Sequence, residues 1–372
     1  MPPVVDLRKT EDPRDVIHQA VQYLVQGRLV AFPTETQYVV AAYSLQPDAV
    51  QQLASLGSGS HPPLHVLALK SPQEALDYLP NQGSSGRKLT RRCWPGPVTL
   101  LVPAEPIEGL LGALPEATRQ AVAPARELAL RVPQSESLQQ VQRLLPAPLV
   151  LSNEILPGGG SATTIEPLLP LLTESIALAI DDGPCRYGSP STVVRVLNGE
   201  WELVREGVVS ESILRRLSSD VILFICTGNT CRSPMAEALM RRSLAEKLGC
   251  ADENVIENGF IVLSAGLAAG IGSPPSPEAV EILKQQSIDL TSHESQPLTP
   301  RLLSQADHVF TMTRSHRDHI LWEYPELSQT VKLLSREEQD ITDPIGGTLE
   351  DYASCAEEIA RHVRMIAENL QA

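Results

Sequence analysis

VILFICTGNTCRSPMAEAL, residues 221–239, decides how the second half of this chain is read. VILFIC is a short, wholly apolar run of the kind that a strand buried on both faces requires. It delivers Cys226 to a tight loop that ends at Arg232, where a helical pattern begins. Ligands bind to open α/β sheets at that position, beyond the carboxyl ends of the strands. The loop amides, the positive end of the helix dipole and the Arg232 guanidinium all converge there, forming a cradle for a phosphoryl dianion. The same field favours thiolate over thiol at Cys226. A Cys-x5-Arg spacing alone arises too easily by chance to decide anything. Here it sits between a strand and a helix, with Gly228 and Asn229 for an unusual backbone path and Ser233 as a nearby hydroxyl donor. Thr227, Gly228, Asn229, Thr230 and Cys231 are the expected phosphate-binding positions.

Outward from this loop, SPMAEALMRRSLAEKL reads as a long amphipathic helix. IVLSAG (261–266), HVFTM (308–312) and VKLL (331–334) read as further strands separated by helical stretches. Strand alternating with helix predicts a doubly wound parallel sheet. GIGSPPSPE is a Pro/Gly loop, and PEAVEILKQQ after it starts a helix, with Pro tolerated in the first turn. Upstream, EGVVSESILRRLSSD (206–220) reads as a closing helix and a short joint. The chain is therefore expected to divide into domains 1–215 and 216–372. Two domains also suit 372 residues, beyond the size at which one core keeps growing. The first domain shows a helical pattern over 14–28, then LVAFPTET as a strand entering a Pro/Thr loop. LHVLAL, TLLV, LALRV, PLVLS, IALAID and STVVRVL follow as short strand candidates, which together predict a mixed-sheet α/β domain.

CTGNTCRS closely resembles the loop signature of the low-molecular-weight protein-tyrosine-phosphatase family, C-x-G-N-x-C-R-S followed by a helix. SAGL (264–267), ADHVFTMT (306–313) and DITDPIGGTLEDY (340–352) fall where that family has matching stretches. The resemblance implies a cysteine-nucleophile protein phosphatase acting on a phosphorylated protein, with no metal or cofactor. Cys226 would attack phosphorus and Arg232 would hold the phosphoryl oxygens. Ser233 would stabilise the leaving sulfur, and Asp343, in its Asp-Pro pair, would be the general acid. A bare Asp-Pro pair reads equally well as a turn cap. Cys231 is near enough in sequence for a reversible disulfide with Cys226, or is simply a small buried hydrophobe. Thr230 resembles the protein-arginine-phosphatase branch, because phosphotyrosine enzymes usually carry an aliphatic residue at that position. Ile345 departs from the family, which generally places an aromatic residue there.

In the first half, FPTETQY (32–38), CWPGPVTLLV (93–102), LALRVP (128–133), GSPSTVV (188–194) and LVREG (203–207) resemble the threonylcarbamoyl-AMP synthase family. That family joins threonine, bicarbonate and ATP to make a tRNA-modification precursor. The resemblance implies that Thr34, Thr36, Arg131, Ser191, Thr192 and Arg205 lie in a nucleotide and threonine pocket, with ATP used if the domain is active. Three departures fall on the chemistry. No Lys or Arg occurs from Leu53 to Leu69, where the family has a Lys-x-Arg pair. Tyr38-Val39-Val40-Ala41 replaces a glycine-containing run, and Leu151-Ser152-Asn153 replaces Ser-Ala-Asn. A weakened or repurposed domain and an active synthase, making the chain bifunctional, are the two readings.

Composition narrows the classes. Hydrophobic residues make up 42% and aromatics only 4%, so the cores are built from Leu, Val, Ile and Ala. The net charge is −15: residues up to 210 carry 16 basic and 21 acidic side chains, the remainder 14 and 24. Neither half has the basic excess of a dedicated nucleic-acid binder, so tRNA-modification partners or RNA, which the synthase resemblance implies, find no support in charge. A polar, acidic start and no apolar run of membrane-spanning length predict a cytoplasmic protein with no membrane partner. The six cysteines are scattered without disulfide or metal-site spacing, so free thiols and no metal are expected.

Overall fold

The computed structural model describes residues 3–56, 64–78, 83–104, 107, 109–152, 161–171 and 176–370. Residues 57–63 of the cation-free stretch Leu53–Leu69, and Asn153, lie outside these. The chain forms two compact units, Met1–Leu217 and Ser218–Ala372, dividing inside the helix Glu211–Ser218.

The first unit is built on strands β1 (Val4–Asp6), β2 (Leu29–Pro33), β3 (Tyr38–Tyr43), β4 (His65–Ala68), β5 (Val98–Pro103), β6 (Glu127–Arg131), β7 (Leu149–Ser152), β8 (Ile176–Asp181), β9 (Thr192–Leu197) and β10 (Glu200–Arg205). They form one mixed sheet in the order β1-β8-β2-β3-β7-β4-β6-β5-β9-β10. Both faces are covered. Leu29 and Ala31 enter one core while Val30 and Phe32 enter the other, so the apolar run is continuous and does not alternate with polar residues. Tyr38-Val39-Val40-Ala41 lies in β3, fully buried between β2 and β7. β-Branched residues suit such a strand better than glycine, which packs nothing there. This strand, the short edge strand β1 and the hairpin strand β10 are absent from the strands expected from the sequence.

The second unit carries β11 (Asp220–Cys226), β12 (Phe260–Gly266), β13 (His308–Thr311) and β14 (Val331–Leu333), all parallel, in the order β12-β11-β13-β14. This is a doubly wound arrangement, as expected. In β11, Val221, Leu223 and Ile225 pack into one core and Ile222 and Phe224 into the other. At about 1.5–3 kcal/mol for each large side chain removed from water, this strand anchors the unit. The helix Arg232–Leu248 departs from the amphipathic expectation: every residue from Cys231 to Met240 is buried. The reason is that its start is covered twice, by the sheet and by the long C-terminal helix Leu349–Asn369. That last helix begins with a capping box, Thr348 and Asp351 each satisfying the other's backbone N–H. Among the described residues no helix is long and apolar enough to cross a membrane.

Candidate active site

β11 runs between β12 and β13, so Cys226 emerges from the interior of the sheet. The loop after it is held from outside by its carbonyls. Thr227 O accepts from Ala268 N at 2.9 Å, Asn229 O from His293 Nε2 at 2.9 Å and Thr230 O from Ser276 N at 2.9 Å. Carbonyls turned outward are what an anion cradle requires of such a loop, and the Asn229 N–H points inward to the Cys226 sulfur. Asn229 takes a left-handed backbone with φ 55°, a conformation asparagine tolerates better than most residues. Gly266 at the end of β12 permits the closeness: a Cβ there would stand 2.5 Å from Thr227 O and 3.0 Å from Asn229 N.

Two donors meet the Cys226 sulfur. Asn229 N–H reaches it at 3.2 Å, and Ser233 Oγ lies 3.0 Å away. The Asn229 amide sets the direction of the second contact. Its Oδ1 accepts from Gln296 N at 2.9 Å, so Nδ2 faces Ser233 Oγ at 2.9 Å and Ser264 Oγ at 2.8 Å. Ser233 Oγ accepts from that amide and keeps its own proton for the sulfur, its other acceptor being Ala265 O at 3.4 Å. Cys231 does not face its loop partner's chemistry alone, since its sulfur lies 3.4 Å from the Tyr352 hydroxyl.

Arg232 is the first residue of its helix, and its side chain is only 5% exposed. Nη1 donates to Ile341 O at 3.1 Å and Nη2 pairs with Asp343 Oδ2. Asp343 is 42% exposed, and its Oδ1 accepts from Ile345 N. Ile345 itself is exposed. The structure thus brings Cys226, Arg232, Ser233, Asp343 and the loop from Thr227 to Cys231 together.

His316 carries no local signal in the sequence. It lies on the helix Arg314–Glu323, buried, with Nε2 2.9 Å from Thr227 Oγ1. Burial, helped by the nearby Arg232 charge and opposed by Asp343 and Asp340, pushes it down to about 4, so it is neutral near pH 7. The supports His293 and Gln296 carry no such signal either. Cys355, whose sulfur reaches Thr342 O, is pushed up to about 12 by burial and stays a thiol.

In the first unit the expected residues gather at one end of the sheet. Thr34 Oγ1 donates to Gln37 O at 2.6 Å and lies 3.1 Å from Thr36 Oγ1. Arg131 Nη2 donates to Thr36 Oγ1 at 3.1 Å and to Glu35 Oε1 at 2.7 Å, and its Nε to Gly96 O at 3.1 Å. Ser191 Oγ is 3.1 Å from Thr99 Oγ1, Arg205 Nη2 reaches Ser191 O at 3.4 Å, and Thr192 Oγ1 donates to Val209 O. The two groups meet across the sheet, where Thr99 pairs with Val193 and its neighbour Leu100 with Leu130. Glu35 lies inside the quoted PTET run but was passed over. Its Oε2 accepts from Gln134 N and its carbonyl from Tyr187 N, so it ties three segments together.

Residues 221–372 match the family described as low molecular weight phosphotyrosine protein phosphatase, and residues 22–207 match Sua5/YciO/YrdC, described as telomere recombination. The protein-arginine-phosphatase of Geobacillus stearothermophilus is 39% identical over 154 residues, 40% of this chain and 95% of that protein. The threonylcarbamoyl-AMP synthase of Bacillus subtilis is 29% identical over 211 residues, 56% of this chain and 57% of that protein, so the chain spans a little over half of the synthase's length. A solved P. abyssi Sua5 double variant aligns over 71% of this chain and 91% of its own, with TM-score 0.51 and 19% identity, a likeness of fold. The chain belongs to the low-molecular-weight phosphotyrosine protein phosphatase family through its second unit and to the Sua5/YciO/YrdC family through its first. It is a phosphatase enzyme carrying a Sua5-like domain.

Proposed function

We propose that the second unit dephosphorylates protein phosphoarginine through a Cys226 thiophosphate intermediate. The carrying observation is the placement of Thr230. Its Oγ1 lies 3.6 Å from where a Cβ on Gly228 would stand, with only the weak acceptor Cys231 Sγ, 3.6 Å away, as a side-chain partner among the described residues. A half-buried hydroxyl beside the phosphorus suits a polar, planar guanidinium, whereas an aliphatic residue there would favour a phenol ring. The similarity to a protein-arginine-phosphatase points the same way.

In the first step the Cys226 sulfur attacks phosphorus. The bond to the leaving nitrogen or oxygen breaks, and Asp343, which enters the cycle as the protonated acid once the dianion has taken Arg232 from it, supplies the proton the leaving atom needs. Arg232 and the loop amides hold the phosphoryl oxygens as charge builds on them. Water then attacks phosphorus, Asp343 takes its proton, and the sulfur departs toward the Ser233 hydroxyl. Neither step calls on a metal or cofactor. The incoming dianion competes with Asp343 for Arg232, which frees that carboxyl to face the leaving group. Phosphotyrosine is the second reading, favoured by the family at large. Ile345, lacking a ring, stacks on neither substrate.

The test is kcat/KM on matched phosphoarginine and phosphotyrosine peptides for the wild type and Thr230→Ile. The wild type should prefer phosphoarginine, and the substitution should shift the ratio at least ~10-fold toward phosphotyrosine. A wild-type preference for phosphotyrosine, or an unmoved ratio, rejects the arginine reading.

For the first unit, the reading is a synthase fold whose ATP chemistry is weakened or repurposed. Arg131, which bonds Thr36 in the expected pocket, is balanced by Glu35 inside the protein, and no Lys or Arg occurs between Leu53 and Leu69 to hold a triphosphate. That charge balance does not fit ATP well.

A further inference from the structure

Behind the nucleophile runs a chain of hydrogen bonds in which the direction of each proton follows from the one before. Asn229 Nδ2 gives one proton to Ser233 Oγ and the other to Ser264 Oγ. Ser264, having accepted, must send its own proton elsewhere, and Glu237 Oε2 receives it at 2.6 Å. A carboxylate has no proton to return, so the far end of the chain is acceptor only. Glu237 is buried on the helix Arg232–Leu248, one turn after Arg232, and its other oxygen pairs with Arg241. It also lines a cavity of about 310 Å³ with Arg241, Asp289, His293, Glu294 and Gln296. His293 and Gln296 hold Asn229 O and Oδ1. Glu237, His293 and Gln296 therefore share this one cavity wall.

We propose that Glu237 is a positioning residue for the nucleophile: by fixing the Ser264 proton it holds the Asn229 amide in its double-donor role, and so keeps the Ser233 hydroxyl aimed at the Cys226 sulfur. The proposal rests on the reading of Cys226 as nucleophile. An i,i+4 pair with a half-exposed arginine would ordinarily do no more than support the helix slightly. The bond to Ser264, made by the other carboxylate oxygen and leading away from Arg241, sets this glutamate apart. If Glu237 is removed, water from the cavity can take its place. Water donates as readily as it accepts, so the Ser264 oxygen can then accept from water in competition with Asn229 Nδ2, and the order of the chain is lost.

The experiment compares the wild type with Glu237→Ala, Glu237→Gln, Ser264→Ala and the Glu237→Ala/Ser264→Ala pair, all as the full chain. Three readings are taken: kcat and KM on an aryl phosphate, the pH profile of Cys226 alkylation by iodoacetamide followed on its own peptide, and the melting temperature. Cys93, Cys185 and Cys355, pushed up to about 12, 11 and 12 chiefly by burial, compete little for the reagent. Glu237→Ala should lower kcat ~10-fold, as loss of one hydrogen bond to an ionised group would, with KM within about twofold and the alkylation profile moved to higher pH. Glu237→Gln, which can still offer a carbonyl oxygen to Ser264, should stay within about threefold of the wild type. In the Ser264→Ala background, Glu237→Ala should add nothing. An unchanged alkylation profile in Glu237→Ala, losses that add in the double variant, or a glutamine variant as poor as alanine would each overturn the proposal. A wild type that fails to hydrolyse the aryl phosphate would instead sink the reading of Cys226, so the two failures are told apart.

Discussion

Each unit contains an arginine bound to a carboxylate at the end of a sheet, and the two pairs differ in one respect. Arg131 and Glu35 are both sealed, with side chains 4% and 2% exposed. Arg232 is sealed while Asp343 is 42% exposed. Water can take over an exposed carboxylate when its partner is claimed by something else, but a buried one has no substitute. The first pair is therefore a fastening that binds β6 to the Thr34–Gln37 turn. The second is exchangeable, and a phosphate dianion can take the arginine from it. On the proposed mechanism the same two functional groups serve architecture in one unit and recognition in the other, and solvent access to the acid decides which.

The sharpest way to break this contrast is to remove both acids' partnerships separately. Asp343→Ala should slow hydrolysis of substrates with poor leaving groups by ~10²–10⁴-fold and those with good leaving groups far less. Leaving-group dependence of kcat across a series of aryl phosphates measures it, and equal slowing of all members would remove Asp343 from the acid role. Next in size, Arg131→Ala leaves Glu35 buried without its cation, which should cost about 3–5 kcal/mol of stability in the first unit. Denaturant unfolding reads this directly, and phosphatase activity serves as the unaffected reference. A variant as stable as the wild type would show that the buried pair is not a fastening.

The smallest effect concerns His316. Its folded pKa is depressed to about 4 from an ordinary 6.5, so the unfolded chain binds the proton first as pH falls. The stability tied to the neutral ring is complete above about pH 6.5, declines below that, and is fully lost near pH 4. His316→Gln retains a polar partner for Thr227 Oγ1 without this titration, so its melting temperature should fall less between pH 7 and pH 4.5 than that of the wild type. Parallel pH dependences would assign the acid sensitivity to other groups.

Some of this was legible in the sequence and some was not, for identifiable reasons. VILFIC announced β11 because a strand buried on both faces needs apolar residues at every position, a pattern confined to six adjacent letters. Cys226, Arg232 and Ser233 came with it, since the loop chemistry is local. Asp343 depended on likeness to a family, because it is 111 residues from the arginine it meets. His316, His293 and Gln296 touch the loop from 89, 64 and 67 residues away, and nothing in their own neighbourhoods marks them. Tyr38-Val39-Val40-Ala41 was read as a damaged glycine run because it was compared with a family pattern. Its β-branched, apolar composition already described a central strand. Glu35 stood in plain view, and only its burial against Arg131 separates it from an ordinary loop acid.

The unbroken burial from Cys231 to Met240 bears on how this enzyme fails. Active-site loops commonly belong to the least stable parts of a protein and can open while the rest stays folded. Here the phosphate loop continues into a helix start that is itself core, clasped between sheet and C-terminal helix, and its carbonyls are tied to three separate segments. The loop therefore has no cheap excursion of its own. Heat inactivation of the phosphatase and melting of its unit should be a single cooperative event, and damage to the last helix, far along the chain, should be felt at the sulfur.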